Sequence, residues 1–163
     1  MDTINKSLSQ PTVLDTPHSS RAKKVTLCAF TLDNLAIRTL TPYLEKCGFD
    51  ADMVFFNDFK DIQTYLPQLL EMDVVGVSLV TEELPKALML ASEIKKHRKK
   101  GRPLIIFGGV EPNIHAKESL QQCDFVVRGE GEEALLEICS DMNNIESMQN
   151  VSYMRNGQVV DNP

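Results

Sequence analysis

Four short stretches of this 163-residue sequence contain glycines or side chains that can form hydrogen bonds, and each follows an apolar run typical of a buried strand. Glycine lets the backbone approach a bulky ligand closely, and hydroxyl and amide groups donate and accept hydrogen bonds. The stretches therefore indicate ligand binding, and we identify no catalytic residue or metal ligand in them. The candidate binding residues are Thr31, Asn34, Ser78, Leu79, Thr81, Gly108, Gly109, Val110, Glu111, Pro112, Gly129, Glu130 and Gly131.

The fourth stretch fits a dinucleotide-binding pattern only weakly. Residues 129–134 read G-x-G-x-x-A, but they follow the last predicted strand rather than the first. Three glutamates at this helix start would oppose a pyrophosphate, so we favour a tight turn. The Gly108-Gly109 pair fits a tight turn as well as a ligand contact, and Thr81 before two glutamates is typical of a helix N-cap.

Charge and composition exclude several classes of function. The net charge of −6 argues against nucleic acid as a partner. The one basic cluster, residues 95–102, closes a predicted helix, where cations offset the helix dipole. No apolar run reaches the roughly 18 residues of a membrane span, and the N-terminus lacks a signal-peptide pattern. The four cysteines form no C-x-x-C pair, so reduced thiols in a cytoplasmic protein are expected.

The chain divides into three predicted parts. Residues 1–22, rich in Ser, Thr and Pro, are expected to form a disordered leader. Residues 23–145 alternate strand and helix patterns, and residues 146–163 are expected to form a hairpin and the start of a linker. Pro42 should kink the first helix or delay its start to Thr41. The predicted strands are 24–30, 51–56, 74–80, 103–107 and 125–127, the helices are 34–47, 61–71, 82–99, 114–122 and 132–139, and the hairpin strands are 151–155 and 158–160.

This alternation predicts an α/β fold. We expect a flavodoxin-like (Rossmann-like) three-layer fold with a five-stranded parallel sheet in the order 2-1-3-4-5, plus a C-terminal β-hairpin. Ligands of such sheets bind over the carboxyl ends of the strands, where the four stretches lie. A phosphoacceptor receiver domain would need acids where this chain has Thr31 and Ser78-Leu79. A flavodoxin would need a glycine-rich phosphate loop where residues 31–34 read TLDN.

Taken together, the four stretches resemble the N-terminal cobalamin-binding domain of cobalamin-dependent radical-SAM proteins, of the anaerobic magnesium-protoporphyrin monomethyl ester cyclase and methyltransferase type. The similarity runs from about Lys24 to the end of the chain, and its strongest part is residues 124–132, DFVVRGEGE. Residues 34–48 are similar to the family's first loop and helix, and residues 75–81 to its third strand and loop. Residues 152–163 resemble the hairpin that precedes the family's catalytic barrel.

The resemblance implies a module that binds cobalamin (vitamin B12) for a parent enzyme. That parent would also use a [4Fe–4S] cluster and S-adenosylmethionine, in radical methyl transfer or oxidative cyclisation. The radical-SAM signature C-x-x-x-C-x-x-C is absent from this chain, so the barrel is expected as a partner in cis or in trans. The D-x-H-x-x-G motif, whose histidine ligates cobalt in the mutases, is also absent, which implies base-off binding without a histidine ligand.

Two departures from the family leave an alternative open. Glu111 and Asn113 stand where the family has the His and Thr of G-G-x-H-P-T. A cobalamin-free interaction or sensing module with a decayed pocket is therefore the alternative function. Flavin or nucleotide binding through residues 129–132 is a third hypothesis, which the glutamates disfavour. We also expect Gly109→Leu to obstruct ligand binding while leaving the fold largely intact.

Overall fold

A computed structural model of the chain describes residues 21–163 and shows one seven-stranded sheet in the order β2-β1-β3-β4-β5-β6-β7. The strands are β1 (Lys24–Ala29), β2 (Asp50–Phe55), β3 (Val74–Ser78), β4 (Leu104–Gly108), β5 (Phe125–Val127), β6 (Val151–Arg155) and β7 (Gln158–Asp161). The helices are α1 (Leu35–Lys46), α2 (Phe59–Leu69), α3 (Leu84–His97), α4 (Val110–Ile114), α5 (Ala116–Ser119) and α6 (Gly131–Ser140).

The first five strands are parallel and adopt the predicted order, so the α/β fold is confirmed. The strand count of five is corrected to seven, because the hairpin joins the sheet instead of standing apart from it. β6 pairs antiparallel with β5, with Phe125 opposite Tyr153, and β7 pairs antiparallel with β6. The hairpin thereby covers the backbone groups that β5 would otherwise leave unpaired at an open edge.

Helices cover both faces of the sheet and divide the core into two layers. Ile37 of α1 and Ile138 of α6 pack into one hydrophobic cluster. Ile62 of α2 and Ile94 of α3 pack into the other. Successive residues of a strand point to opposite faces, so that β3 sends side chains into both clusters. The continuous apolar runs of the central strands follow from this burial on both faces.

The helices begin at identifiable capping residues. Asn34 caps α1, because its side chain accepts a hydrogen bond from the amide of Ile37. The helix therefore begins at Leu35 and not at Thr41. Pro42 lies inside α1. Asp58 caps α2 by accepting from two backbone amides, which starts that helix two residues earlier than predicted. The short helices α4 and α5 replace the single helix expected over residues 114–122.

The basic cluster at the end of α3 contains a structural ion pair. Arg98 donates two hydrogen bonds to the carboxylate of Asp124, at 2.6 and 3.0 Å, and one to the carbonyl oxygen of Pro103. Asp124 also accepts from the backbone amide of Ile105 at 2.8 Å. Arg98 thus ties α3 to β4 and to the residue before β5, at the end of the sheet opposite the four candidate loops.

Both ends of the described chain are anchored to the domain. Residues 1–20 of the predicted leader lie outside the described residues, but Ala22 is buried and its amide donates to the carbonyl oxygen of Cys139 at 2.7 Å. Asn162 is also buried, and its side chain donates to the carbonyl oxygens of Ile145 and Met148. Within residues 21–163, no helix combines the length and apolar character needed to cross a membrane.

Candidate functional site at the carboxyl edge of the sheet

A cavity of about 300 Å³ opens at the carboxyl edge of the parallel strands, between the sheet, α1 and α6. This is the edge at which the fold rule places a ligand. Its lining residues are Leu27, Leu35, Ala36, Ile37, Thr39, Leu40, Gly76, Val77, Ser78, Ile106, Gly108, Gly109, Val127, Gly129, Glu130, Gly131, Glu132 and Leu135.

The strand register shows how deep the cavity reaches. Gly76 of β3 lies between Leu27 of β1 and Ile106 of β4, so the three residues form one row across the sheet. Ser78 and its partner Gly108 lie two residues further along the same strands and on the same face. At about 3.3 Å per residue, the cavity extends about 7 Å below the ends of the strands.

Two glycines shape this space in different ways. Gly76, in the middle of a central strand, makes room for Leu27, because a Cβ at position 76 would lie 2.7 Å from a terminal carbon of Leu27. A Cβ at Gly108 would find its nearest neighbour 3.9 Å away, so a side chain there would project into free space. Gly76 is not among the predicted binding residues. A glycine inside an apolar strand pattern was the available signal, because it marks a close approach by another group.

Asn34 connects the first candidate loop to the third strand. Its amide nitrogen donates to the hydroxyl of Ser78 at 3.1 Å, and its amide oxygen caps α1. One side chain therefore fixes both the start of α1 and the hydroxyl at the mouth of the cavity. Asn34 itself does not line the cavity and acts by positioning Ser78.

The loops after β3 and β4 are packed against each other through their backbones. The amide of Leu79 donates to the carbonyl oxygen of Gly108 at 3.0 Å. Gly109 has a φ of 103° and a ψ of −167°, a conformation that is essentially restricted to glycine. Leu79 is buried and does not line the cavity, whereas both glycines do.

Glu111 is buried and is held by its own helix and the neighbouring loop. Its carboxylate lies 2.8 Å from Nδ1 of His115, one turn further along the chain. The Thr81 side chain and His115 hold the pKa of Glu111 below its ordinary value, against the opposing effect of burial. The predicted N-cap role of Thr81 is wrong, because Thr81 begins a 3-10 turn in which Glu83 accepts from the amide of Val80.

Asn113, the second departure from the resembled family, connects α4 to the loop after β5. Its side-chain oxygen accepts a hydrogen bond from the amide of Gly129 at 3.2 Å. Neither Glu111 nor Asn113 lines the cavity. Together they link α4 to the loops after β3 and β5, which stabilises the arrangement around the cavity mouth.

Six of the predicted residues line the cavity and seven do not. The six are Ser78, Gly108, Gly109, Gly129, Glu130 and Gly131. The others are Thr31, Asn34, Leu79, Thr81, Val110, Glu111 and Pro112, of which Leu79, Glu111 and Pro112 are buried. The aliphatic wall residues from α1, α6 and the strand interiors were missed, because core residues and pocket residues have the same hydrophobic pattern in a sequence.

The site combines an apolar rim with an acidic entrance. Five large aliphatic side chains on the loops and helices at this edge are 45–77% exposed: Leu32, Leu35, Val80, Val110 and Ile114. The charged residues of the lining are Glu130 and Glu132, and neither Lys nor Arg contributes to it. No group of three or more His, Cys, Asp or Glu residues that could hold a metal ion occurs in the described part of the chain. The geometry therefore suits a large, mainly apolar ligand.

Comparison with known proteins identifies solved structures that have a similar fold. Two solved structures of the cobalamin-dependent S-adenosylmethionine radical enzyme OxsB match the fold, one with aqua-cobalamin bound and one with aqua-cobalamin and S-adenosylmethionine bound. Their TM-scores are 0.75 and 0.74, with 20% identity over 86% of this chain. The chain spans 22% of the length of the OxsB chain. No curated protein matches the sequence.

The family comparison covers most of the domain. The model described as "B12 binding domain" matches residues 25–139, which run from β1 to the end of α6. The match includes all four candidate loops and every residue that lines the cavity. The chain therefore belongs to the B12 binding domain family.

Proposed function

We propose that the chain binds cobalamin over the carboxyl edge of its sheet, with the nucleotide tail in the cavity and the corrin ring against the apolar rim. The observation that carries this proposal is the depth of the cavity, which reaches the row of Leu27, Gly76 and Ile106 below the family's loops. A deep, mainly apolar cavity suits the tail, and the flat corrin ring suits an open apolar surface. Ser78, Gly108, Gly109 and the 129–131 loop would flank the entering tail.

The proposed binding mode is base-off, without a histidine on cobalt. The loop between β1 and α1, residues 30–34, contains no histidine. Within residues 21–163, His97 ends α3, a helix that does not line the cavity, and His115 is paired with Glu111. When bound, cobalamin supplies organometallic cobalt chemistry, and the residues of this chain hold and orient it.

The alternatives lose their supporting observations. The decayed-pocket hypothesis depended on Glu111 and Asn113, but Glu111 pairs with His115, Asn113 accepts from the Gly129 amide, and neither residue lines the cavity. Flavin mononucleotide or a dinucleotide would place phosphates near Glu130 and Glu132, where no cation of the lining offsets the repulsion. Cobalamin, with amide side chains and a single phosphodiester, fits this charge distribution better.

The parent protein is proposed to be a cytoplasmic cobalamin-dependent radical-SAM enzyme. Its barrel, in cis or in trans, would hold the [4Fe–4S] cluster and S-adenosylmethionine and would cover the exposed aliphatic rim. The rim supports this arrangement, because exposed apolar patches of this kind mark ligand or protein contacts. A reaction of the radical methyl transfer or oxidative cyclisation type is proposed from the family resemblance.

Absorbance titration with hydroxocobalamin tests the binding proposal. The wild-type chain is expected to bind and to convert the spectrum to a base-off form. Gly108→Leu is expected to weaken binding at least about tenfold, because its side chain would project into the cavity mouth without a backbone clash. Glu118→Leu, on the exposed surface of α5, is the matched control and should bind like wild type. Equal binding by wild type and Gly108→Leu would exclude this site.

A further inference from the structure

The floor of the cavity offers no side-chain hydrogen-bonding group. Its row of residues is Leu27, Gly76 and Ile106. Gly76 lies in a strand that pairs on both sides, with β1 and with β4, so the backbone groups of this row belong to the sheet ladder. The walls above the floor are also aliphatic: Ile37, Leu40, Val127 and Leu135. A polar atom that reached this depth would therefore lose its water without gaining a partner.

The shape of the cavity favours a flat group. Gly76, Ser78 and Gly108 form a patch of small residues on adjacent positions of β3 and β4. No side chain projects from Gly76, and a terminal carbon of Leu27 lies over it, so the back of the cavity is aliphatic. The helices α1 and α6 close the space from the opposite side. A planar ring can therefore lie with its faces between the aliphatic floor and the aliphatic walls.

Polar lining groups are confined to the mouth. The Ser78 hydroxyl, held by Asn34, lies at the end of β3, and Thr39 is exposed on α1. Glu130 caps the start of α6, and Glu132 lies in the first turn of that helix. The polar sugar and phosphate of a nucleotide-like tail can therefore stay in contact with water and polar groups, while only its terminal ring enters the apolar part.

We infer that this cavity selects corrinoids by their terminal base, accepting a flat apolar aromatic such as dimethylbenzimidazole or a phenol and rejecting a purine. The inference rests on the proposed function. The edge of adenine carries ring nitrogens and an amino group, and each of these would be buried unpaired against Leu27, Ile106 and Leu135. Dimethylbenzimidazole carries two methyl groups on the corresponding edge, and these gain contacts there.

Four corrinoids separate this selection from corrin binding itself. The chain is titrated, by absorbance, with hydroxocobalamin, its adenine-containing analogue, a phenol-containing analogue and tail-less cobinamide. We expect cobalamin and the phenol analogue to bind at least about tenfold more tightly than the adenine analogue, which should approach cobinamide. Adenine is less basic than dimethylbenzimidazole and leaves cobalt more readily. Cobalt release alone would therefore make the adenine analogue bind more tightly than cobalamin, which is the opposite of the expected result.

Each of the other outcomes would contradict a particular part of the proposal. Absence of binding by all four corrinoids would overturn the proposed function and the inference together. Equal binding of cobalamin and cobinamide would leave corrin binding standing but would show that the tail does not use the cavity. Equal binding of cobalamin and the adenine analogue, both tighter than cobinamide, would overturn only the selection.

Two variants locate the effect in the cavity. Gly76→Val fills the floor, and it should reduce cobalamin affinity to the level of cobinamide without changing cobinamide binding. Leu40→Phe narrows the cavity from a half-buried position on α1 and should act in the same direction, which keeps the test valid if Gly76→Val does not fold. Glu118→Leu serves again as the control. Unchanged preference for cobalamin over cobinamide in both folded variants would contradict the inference.

Discussion

Gly109 lies so close to Leu79 that a Cβ at position 109 would be 2.5 Å from the Leu79 carbonyl oxygen. It would also be 3.0 Å from the Leu79 amide nitrogen. Together with the positive φ of Gly109, this contact changes the expected effect of a substitution there. The expectation that Gly109→Leu leaves the fold intact is wrong, because the clash involves backbone that belongs to the joined β3 and β4 loops.

Gly109→Ala is therefore expected to reduce the free energy of unfolding by about 2–4 kcal/mol, from backbone strain and steric overlap. Urea unfolding followed by circular dichroism measures this change. Gly108→Ala is the matched control, because its Cβ would approach no closer than 3.9 Å to a neighbouring atom. Equal stability of the two alanine variants would contradict the argument.

Asn34→Ala is expected to cost about 1 kcal/mol of stability, because α1 loses its N-cap. Asn34→Asp keeps an oxygen that can accept from Ile37 but loses the donor to Ser78, so it should retain most of the helix stability. Its cobalamin affinity should still fall below that of wild type, since the Ser78 hydroxyl is no longer held. Urea midpoints and cobalamin titrations of both variants separate the two roles. Identical urea midpoints for the two variants, or a wild-type cobalamin affinity for Asn34→Asp, would refute that separation.

The buried Glu111 carboxyl predicts an acid-sensitive component of stability. Because its pKa is lowered in the folded protein, the unfolded chain takes up the proton more readily. The stabilisation is then complete above the unfolded pKa and is lost as the pH falls through the folded pKa. Between about pH 6 and pH 3, wild type should lose more stability than Glu111→Gln. Unfolding midpoints across this range test it, with exposed Glu118→Gln as control, and parallel pH profiles for wild type and Glu111→Gln would contradict it.

Thiol labelling should distinguish Cys47 from the other three of the four cysteines. Burial raises the pKa of Cys139 to about 12 and raises the pKa of Cys28 and Cys123 further above the ordinary range. Since the thiolate is the reactive form, one rapid equivalent is expected with Ellman's reagent at about pH 8, and four in denaturant. Cys47 is only partly buried, and Cys47→Ser should remove the rapid equivalent. Rapid labelling of a second thiol in the folded chain would contradict this reading.

The parallel part of the sheet was predictable because each of its strands is marked by a short pattern in the sequence. The apolar runs of β1 to β5 and the intervening helical patterns determine the parallel order once right-handed crossovers are required. The place of the hairpin was not predictable from pattern alone. Tyr153 and Val151 indicate a strand, but only the unpaired edge of β5 makes that strand part of the same sheet.

The site was predictable at its loops and not at its floor. Gly108 and Gly129 stand out because glycine follows a strand, and both line the cavity. Leu27 and Ile106 look like any core residue, and their role depends on Gly76 lying between them across the sheet. The pairing of Glu111 with His115 was not predictable, since it depends on a helix, α4, where a loop was expected.

The cavity lies on one side of the sheet, between it and α1 and α6, and no residue of α2 or α3 lines it. The two helical layers therefore respond differently to a bound molecule. Contacts made in the cavity would damp the local opening of α1 and α6, so that their backbone amides exchange hydrogen for deuterium more slowly. Exchange of the α2 and α3 amides would be slowed by the bound molecule only where it requires the rarer, global unfolding. A bound molecule would thus be detected mainly as slower hydrogen exchange in the layer formed by α1 and α6.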